Sequence, residues 1–212
     1  MNDKLVWIDC EMTGLDLATD ALVEVAVLVT DGELNVLGDG LDLIIATPED
    51  QLAAMDDFVL DMHTSSGLLD EIRAATLTMA DAEQQILAYV REWIPEARKA
   101  PLAGNTIGTD RTFIARDMPT LEGYLHYRNI DVSTIKELAR RWYPKTFHQA
   151  PAKQGHHRAL ADIQESIEEL RYYRATVFVP EPGPTSEDAH RAALECQGSL
   201  TGFAPEQDPS AH

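Results

Sequence analysis

Hydrophobic positions fall into two periodicities along the chain, and they divide it. Near the start, apolar residues run in short blocks. Lys4–Asp9 is an apolar run that ends in an acid, and Ala21–Thr30 (ALVEVAVLVT) is rich in Val and Leu. Val36–Ala46 follows a turn around Asp31-Gly32. Blocks of this length with short connections predict three strands in an antiparallel meander, which Pro48 interrupts. Helical spacing then takes over. Residues 51–75 read as short helices and loops. Over Thr78–Ile94, Ile86, Leu87, Val90, Trp93 and Ile94 form one stripe, with Thr78 as the expected cap. Pro101–Gly104 is an expected strand, 109–118 a helix and Asn129–Val132 another strand. Ser133 is the expected cap of a helix through Tyr143, residues 144–156 an expected loop, and Arg158–Val177 the last clear helix. Strands first and alternating helices and strands afterwards imply an α/β fold around a mixed sheet.

After Phe178 the pattern stops. VPEPGPT is proline-rich and the remainder acidic and polar. The division expected is a domain over 1–179 and a proline-rich acidic tail over 180–212, with a short helix near 186–196. No internal repeat stands out.

Length and composition narrow the classes. At 212 residues the chain has room for a core without covalent staples. Two cysteines, Cys10 and Cys196, make neither a disulfide framework nor a zinc spacing. The opening residues enter a strand without a basic or apolar leader, and no run of apolar residues suits a membrane span. A reduced, cytoplasmic setting is the expectation.

Net charge is −19, unevenly spread. Residues 1–97 carry 3 basic and 21 acidic side chains, residues 98–174 carry 13 and 9, and the remainder 1 and 6. A protein that tracks long duplexes needs a broad basic footprint. Here basic groups are local, in the segment holding Arg111, Arg128, Lys153 and Arg158, which suits a small anionic ligand better.

Candidate chemistry sits in three short motifs. Asp9 and Glu11 lie in WIDCEMTGL, Asp110 in GNTIGTDRTF, and His157 and Asp162 in HRALAD. Strand periodicity puts Asp9 and Glu11 on one face and Cys10 on the other, where it reads as a small core residue. Paired carboxylates repel unless protonated or bridged by cations, and carboxylate oxygen is the donor hard divalent cations prefer. Taken singly, each acid has an ordinary explanation: a solvated strand end for Asp9 and Glu11, a helix cap or first-turn acid for Asp110 and Asp162. His157 is a candidate general base, and spacing leaves His156 as a competitor. Trp7, Trp93 and Trp142 sit in apolar patterns and read as core.

The order D-x-E on the first strand, a central Asp after a later strand and H-x4-D on the last helix resembles the DEDDh exonuclease superfamily. The runs WIDCEMTGLD, MDDFVLDMHTSSGL, GNTIGTDRTFIARDMPTLEGYLHYRNIDVSTIKELARRWYP and KQGHHRALADIQESIEELRYYR resemble one branch of it, the oligoribonuclease family, over about residues 4–175. The resemblance implies a ribonuclease H-like fold with a mixed five-stranded sheet flanked by helices. It implies 3′→5′ exoribonuclease action on short single-stranded oligoribonucleotides, dinucleotides above all, by two-metal hydrolysis with Mg²⁺ or Mn²⁺. It makes Asp9, Glu11, Asp110 and Asp162 the metal ligands and His157 the base. It gives Leu15, Phe58, His63 and Thr106 contacts with substrate, and has Tyr127 and Arg128 reach across a homodimer. Many family members carry Trp at the position of Phe58, which keeps a stacking face of smaller area. Two other readings stay open: an exonuclease of longer substrates such as a DNA-proofreading enzyme, and a nucleotide-binding scaffold without turnover.

Overall fold

The computed structural model describes residues 3–152 and 158–197 and divides the chain into two compact units, one through Val177 and one from Phe178. In the first, strands β1 (Leu5–Met12), β2 (Leu22–Thr30) and β3 (Val36–Ile44) form the meander, joined by β4 (Pro101–Gly104) and β5 (His126–Asp131). The order is β3-β2-β1-β4-β5. β1–β2 and β2–β3 are antiparallel, whereas β1–β4 and β4–β5 are parallel. This is the mixed five-stranded sheet expected. The helices are α1 (Glu49–Leu52), α2 (Asp57–Ser65), α3 (Leu68–Ala74), α4 (Met79–Trp93), α5 (Gly108–Asp117), α6 (Pro119–Tyr124), α7 (Val132–Trp142), α8 (Pro144–His148) and α9 (Ala159–Thr176). The second unit holds α10 (Ser186–Cys196), which buries none of its residues and is capped by Thr185.

Strand alternation assigns the two faces of the sheet. Val6, Ile8 and Cys10 of β1, with Val25, Val27 and Val29 of β2, form one core with Ile86 and Val90 of α4 and Phe113 and Ile114 of α5. Trp7 of β1, with Ala26 and Leu28 of β2, faces the other way, onto Val132 and Ala139 of α7 and Ile163 and Ile167 of α9. Asp9 and Glu11 share the register of Trp7, so they point to the side that α9 covers. Every residue of β2 is buried, as expected of a strand with helices over both faces. A smaller cluster of Leu52, Leu68, Leu69 and Ile72 packs on Val23.

Several boundaries differ from the sequence reading, each for a physical reason. β5 starts at His126 rather than Asn129, because its residues are polar and give no apolar alternation. The cap of α7 is Asp131, whose carboxylate accepts from the Ser133 amide, so Ser133 is not the cap. Part of the expected loop after Tyr143 forms α8, opened by Pro144 at its first position. Trp142 is not core: it is 65% exposed. Among the described residues no helix is long and apolar enough to cross a membrane.

Candidate active site

β1 runs past its parallel neighbour. The last paired residues are Trp7 and Ala103, so the Cys10 amide lies beyond the ladder. Asp110 fills that gap, its Oδ1 accepting the Cys10 N–H at 3.0 Å across 100 residues of sequence. It can do so because Ile107, Phe113 and Ile114 seat α5 in the core and turn its first coil toward the strand. α9 approaches from the opposite end of the chain. With Ile163 and Ile167 in the core, Asp162 is carried to the face of Asp9 and Glu11. Asp9, Glu11 and Asp162 can each offer one oxygen such that all three lie within 4.8 Å of one another.

The electrostatics follow from this crowding. Burial first, and then the charges of Glu24, Asp162 and Asp110, push the Glu11 carboxyl up to about 8, with Arg158 opposing. Burial also raises Asp110, to about 6, against the restraining amide hydrogen bonds of its own backbone and of Cys10. Cys10, buried among these acids, has its thiol raised well above the ordinary range, which leaves it a core residue and not a nucleophile. Oxygen donors that converge and penalise one another's charge fit a hard divalent cation.

The remaining expected residues divide by exposure. Leu15 (76% exposed) and Phe58 (75%) stand out from the surface as bare apolar groups. Leu15 sits on a loop closed by Asp20, whose carboxylate accepts the Asp16 amide at 2.7 Å. A Cβ at Gly14 would collide with that same carboxylate, so any side chain there would have to displace Asp20. His63 is fully buried, and its Nε2 lies 2.9 Å from the Met12 carbonyl, where it fixes the end of β1. Thr106 adopts φ +53°, a left-handed backbone costly for a β-branched residue. Its amide donates to Asp131 Oδ1 (3.0 Å) and Ser133 Oγ (2.9 Å), which holds it there. Tyr127 is exposed, with the Arg128 guanidinium 5.4 Å from its ring centre. His157, His156 and Lys153 lie outside the described residues.

Two networks around the site were silent in the sequence. Asn105 donates to Ser166 Oγ (2.7 Å) and Glu169 Oε2 (3.1 Å), while Ser166 Oγ donates to the Asp162 carbonyl (2.7 Å). The Thr106 loop is thereby tied to the turn carrying Asp162. Glu24, fully buried, accepts from Arg158 Nε (3.1 Å) and the Ala159 amide (3.3 Å), and Arg158 also grips Glu71 of α3. One signal was available: Glu24 is the lone acid in the nine apolar-rich residues of β2. Arg111 and Arg158, expected as basic groups open to substrate, are both engaged in ion pairs within the fold.

The mixed five-stranded sheet thus carries clustered carboxylates on one face of its central strand, β1. The exonuclease I structure superposes on 82% of this chain with a TM-score of 0.65 at 15% identity, and the chain spans 41% of that longer protein. The zinc-bound complex of E. coli exonuclease I with single-stranded DNA superposes with a TM-score of 0.66, likewise at 15% identity, over 84% of this chain and 41% of that one. These likenesses carry the fold alone. The RNase_T exonuclease family model matches residues 6–170. Oligoribonuclease of Streptomyces griseus is 65% identical over 91% of this chain and 96% of its own length. Oligoribonuclease of Mycobacterium ulcerans is 56% identical over 100% of this chain and 97% of its own. The chain belongs to the oligoribonuclease family of exonucleases.

Proposed function

We propose that this protein is a divalent-metal-dependent 3′→5′ exoribonuclease that reduces short single-stranded oligoribonucleotides, dinucleotides above all, to 5′-mononucleotides. The observation that carries the reading is the convergence of Asp9, Glu11 and Asp162 within 4.8 Å, with buried Asp110 joined to the same strand. Asp9, Glu11, Asp110 and Asp162 would hold two cations, Mg²⁺ or Mn²⁺, which when bound supply Lewis-acid polarisation of the scissile phosphate and acidify the attacking water. His157 would accept a proton from the attacking water at a ring nitrogen. Leu15 and Phe58 offer exposed apolar faces for unpaired bases, and stacking of a base on the Phe58 ring is worth roughly 1–3 kcal/mol. Thr106 borders the substrate near its 5′ end, and His63, buried on the Met12 carbonyl, supports that end of the site from beneath. Tyr127 and Arg128 complete the site of a second copy in a cytoplasmic homodimer. Residues 180–212 are a tail appended to the catalytic domain.

Charge supports the preference for short substrates. The first 97 residues carry a balance of −18, so each added nucleotide meets more repulsion while gaining few contacts. The test is incubation with 5′-labelled RNA of two to seven nucleotides, with Mg²⁺, with Mn²⁺ and with chelator. The expected result is metal-dependent release of mononucleotides, fastest from the dinucleotide. Equal rates for dimer and heptamer across several ionic strengths, or equal cutting of DNA, would favour the general exonuclease instead.

A further inference from the structure

β5 is an edge strand, and it is irregular at one place. Its pairing with β4 runs from Pro101↔His126 directly to Leu102↔Asn129. Tyr127 and Arg128 fall between the paired positions, so the strand bulges by two residues there. A bulge re-aims side chains, and at a sheet edge it needs outside hydrogen-bond partners to hold one shape.

Arg111 supplies them. It follows Asp110 on α5, and its side chain is mostly buried. Nη2 donates to the His126 carbonyl (3.1 Å), and Nη1 to the Tyr127 carbonyl (3.3 Å) and to Asn129 Oδ1. Nε (3.1 Å) and Nη2 (2.8 Å) donate to Glu122 Oε1 on α6. All five guanidinium N–H groups are thus engaged, three on the bulge and two on a carboxylate that fixes the plane of the fork. At the rim of the bulge the Arg128 amide donates to His126 Nδ1 (3.2 Å), and the His126 and Tyr127 rings lie 4.5 Å apart.

We propose that Arg111 is a positioning residue for substrate affinity: its guanidinium templates the β5 bulge that presents Tyr127 and Arg128. This rests on the reading of Tyr127 and Arg128 as substrate contacts. Because Arg111 is fixed to α5 beside Asp110, one helix sets both the carboxylate and the presenting strand. Lysine keeps the charge but offers three donors on a single atom, and it cannot span two carbonyls and a carboxylate in one plane.

The experiment is a double-mutant cycle on the full chain, read as KM and kcat for a 5′-labelled RNA dinucleotide. Arg111→Lys is expected to raise KM about tenfold with kcat within about twofold, the signature of lost uniform binding. Asn129→Ala, which removes one of the contacts and leaves the Glu122 pair, is expected to raise KM in the same direction and serves if Arg111→Lys does not fold. In a Tyr127→Ala/Arg128→Ala background the added effect of either variant is expected to vanish. Persistence of the full effect there overturns the proposal, because Arg111 then acts by another route. An unchanged KM in Arg111→Lys and Asn129→Ala, with KM raised in Tyr127→Ala/Arg128→Ala, overturns the positioning role alone. If Tyr127→Ala/Arg128→Ala itself leaves KM unchanged, the reading of those two side chains fails and the proposal falls with it.

Discussion

Glu11 and Glu24 face each other across β1 and β2, and both are buried. They differ in what the fold supplies to their charge. Glu24 has a guanidinium and a backbone amide on its carboxylate. Glu11 is set instead among Asp9, Asp110 and Asp162, and among the described residues it shows no ion pair. One carboxylate has its cation built in and holds the start of α9 in place. The other sits in a crowd of carboxylates whose mutual repulsion Arg158 offsets only in part. Burial of an acid is therefore no sign of its task; the partner is.

The largest expected contrast lies in substituting one member of each group. Asp162→Ala should remove hydrolysis, a loss beyond about 10³-fold, because the proposed function makes Asp162 a cation ligand. Its metal-free melting temperature should stay level or rise, since a repelling charge has gone too. Turnover assays in Mg²⁺ and thermal melts in chelator check both halves. Near-normal turnover would remove Asp162 from the ligand set and break the comparison.

That contrast was only partly legible in the sequence. Asp9, Glu11, Asp110 and Asp162 stood out because their motifs keep a fixed order, and the Val/Leu-rich strands placed two of them. The bond from Asp110 to the Cys10 amide was not legible, because its partners lie 100 residues apart and one of them is backbone. Glu24 was visible as an acid in an apolar strand, but nothing local pointed to Arg158, 134 positions on. The β5 bulge was hidden for another reason: HYRNID lies at an edge with little burial, so hydrophobic alternation, the main signal for a strand, is missing.

His157 adds a step of similar order. His157→Ala should lower kcat by ~10²–10⁴-fold, with metal affinity retained and partial recovery at higher pH, where hydroxide is more abundant. Isothermal titration with Mn²⁺ beside a pH–rate profile separates loss of a base from loss of a metal site. A loss seen in His156→Ala and absent in His157→Ala would transfer the role to the neighbouring ring.

Glu24→Ala should give the reverse signature of Asp162→Ala: a less stable protein that still hydrolyses RNA. Removing one member of a buried ion pair costs ~3–5 kcal/mol, but Arg158 keeps Glu71 and is 28% exposed, so the loss should be smaller. At about 2 kcal/mol the melting temperature falls by roughly 4–8 °C for a chain of this size. Calorimetry in chelator gives the stability, and a dinucleotide assay at saturating Mg²⁺ gives the activity. If Glu24→Ala melts at the parent temperature, the built-in cation contributes nothing and the distinction between the two acids is lost.

The smallest expected effect is the pH slope of the metal-free protein. Below about pH 4.5 Glu11 is protonated in both folded and unfolded chains, so it places no limit on stability. As pH rises, the unfolded chain ionises first, while the folded chain holds the Glu11 proton up to about pH 8 and the Asp110 proton up to about 6. The contribution of each group is thus fully present at low pH and lost as pH climbs through the folded value. Glu24 moves the same way, with burial its first cause, so the comparison needs a variant that isolates Glu11. Melts in chelator should show lower stability at pH 8 than at pH 5.5. Glu11→Gln, which has no proton to lose, should flatten that slope. Saturating Mg²⁺ should flatten or reverse it in the parent, because the ionised carboxylates then gain a cation. A slope that Glu11→Gln leaves unchanged would mean that the crowded acids share their charge differently, with Asp110 or Glu24 carrying the proton assigned to Glu11.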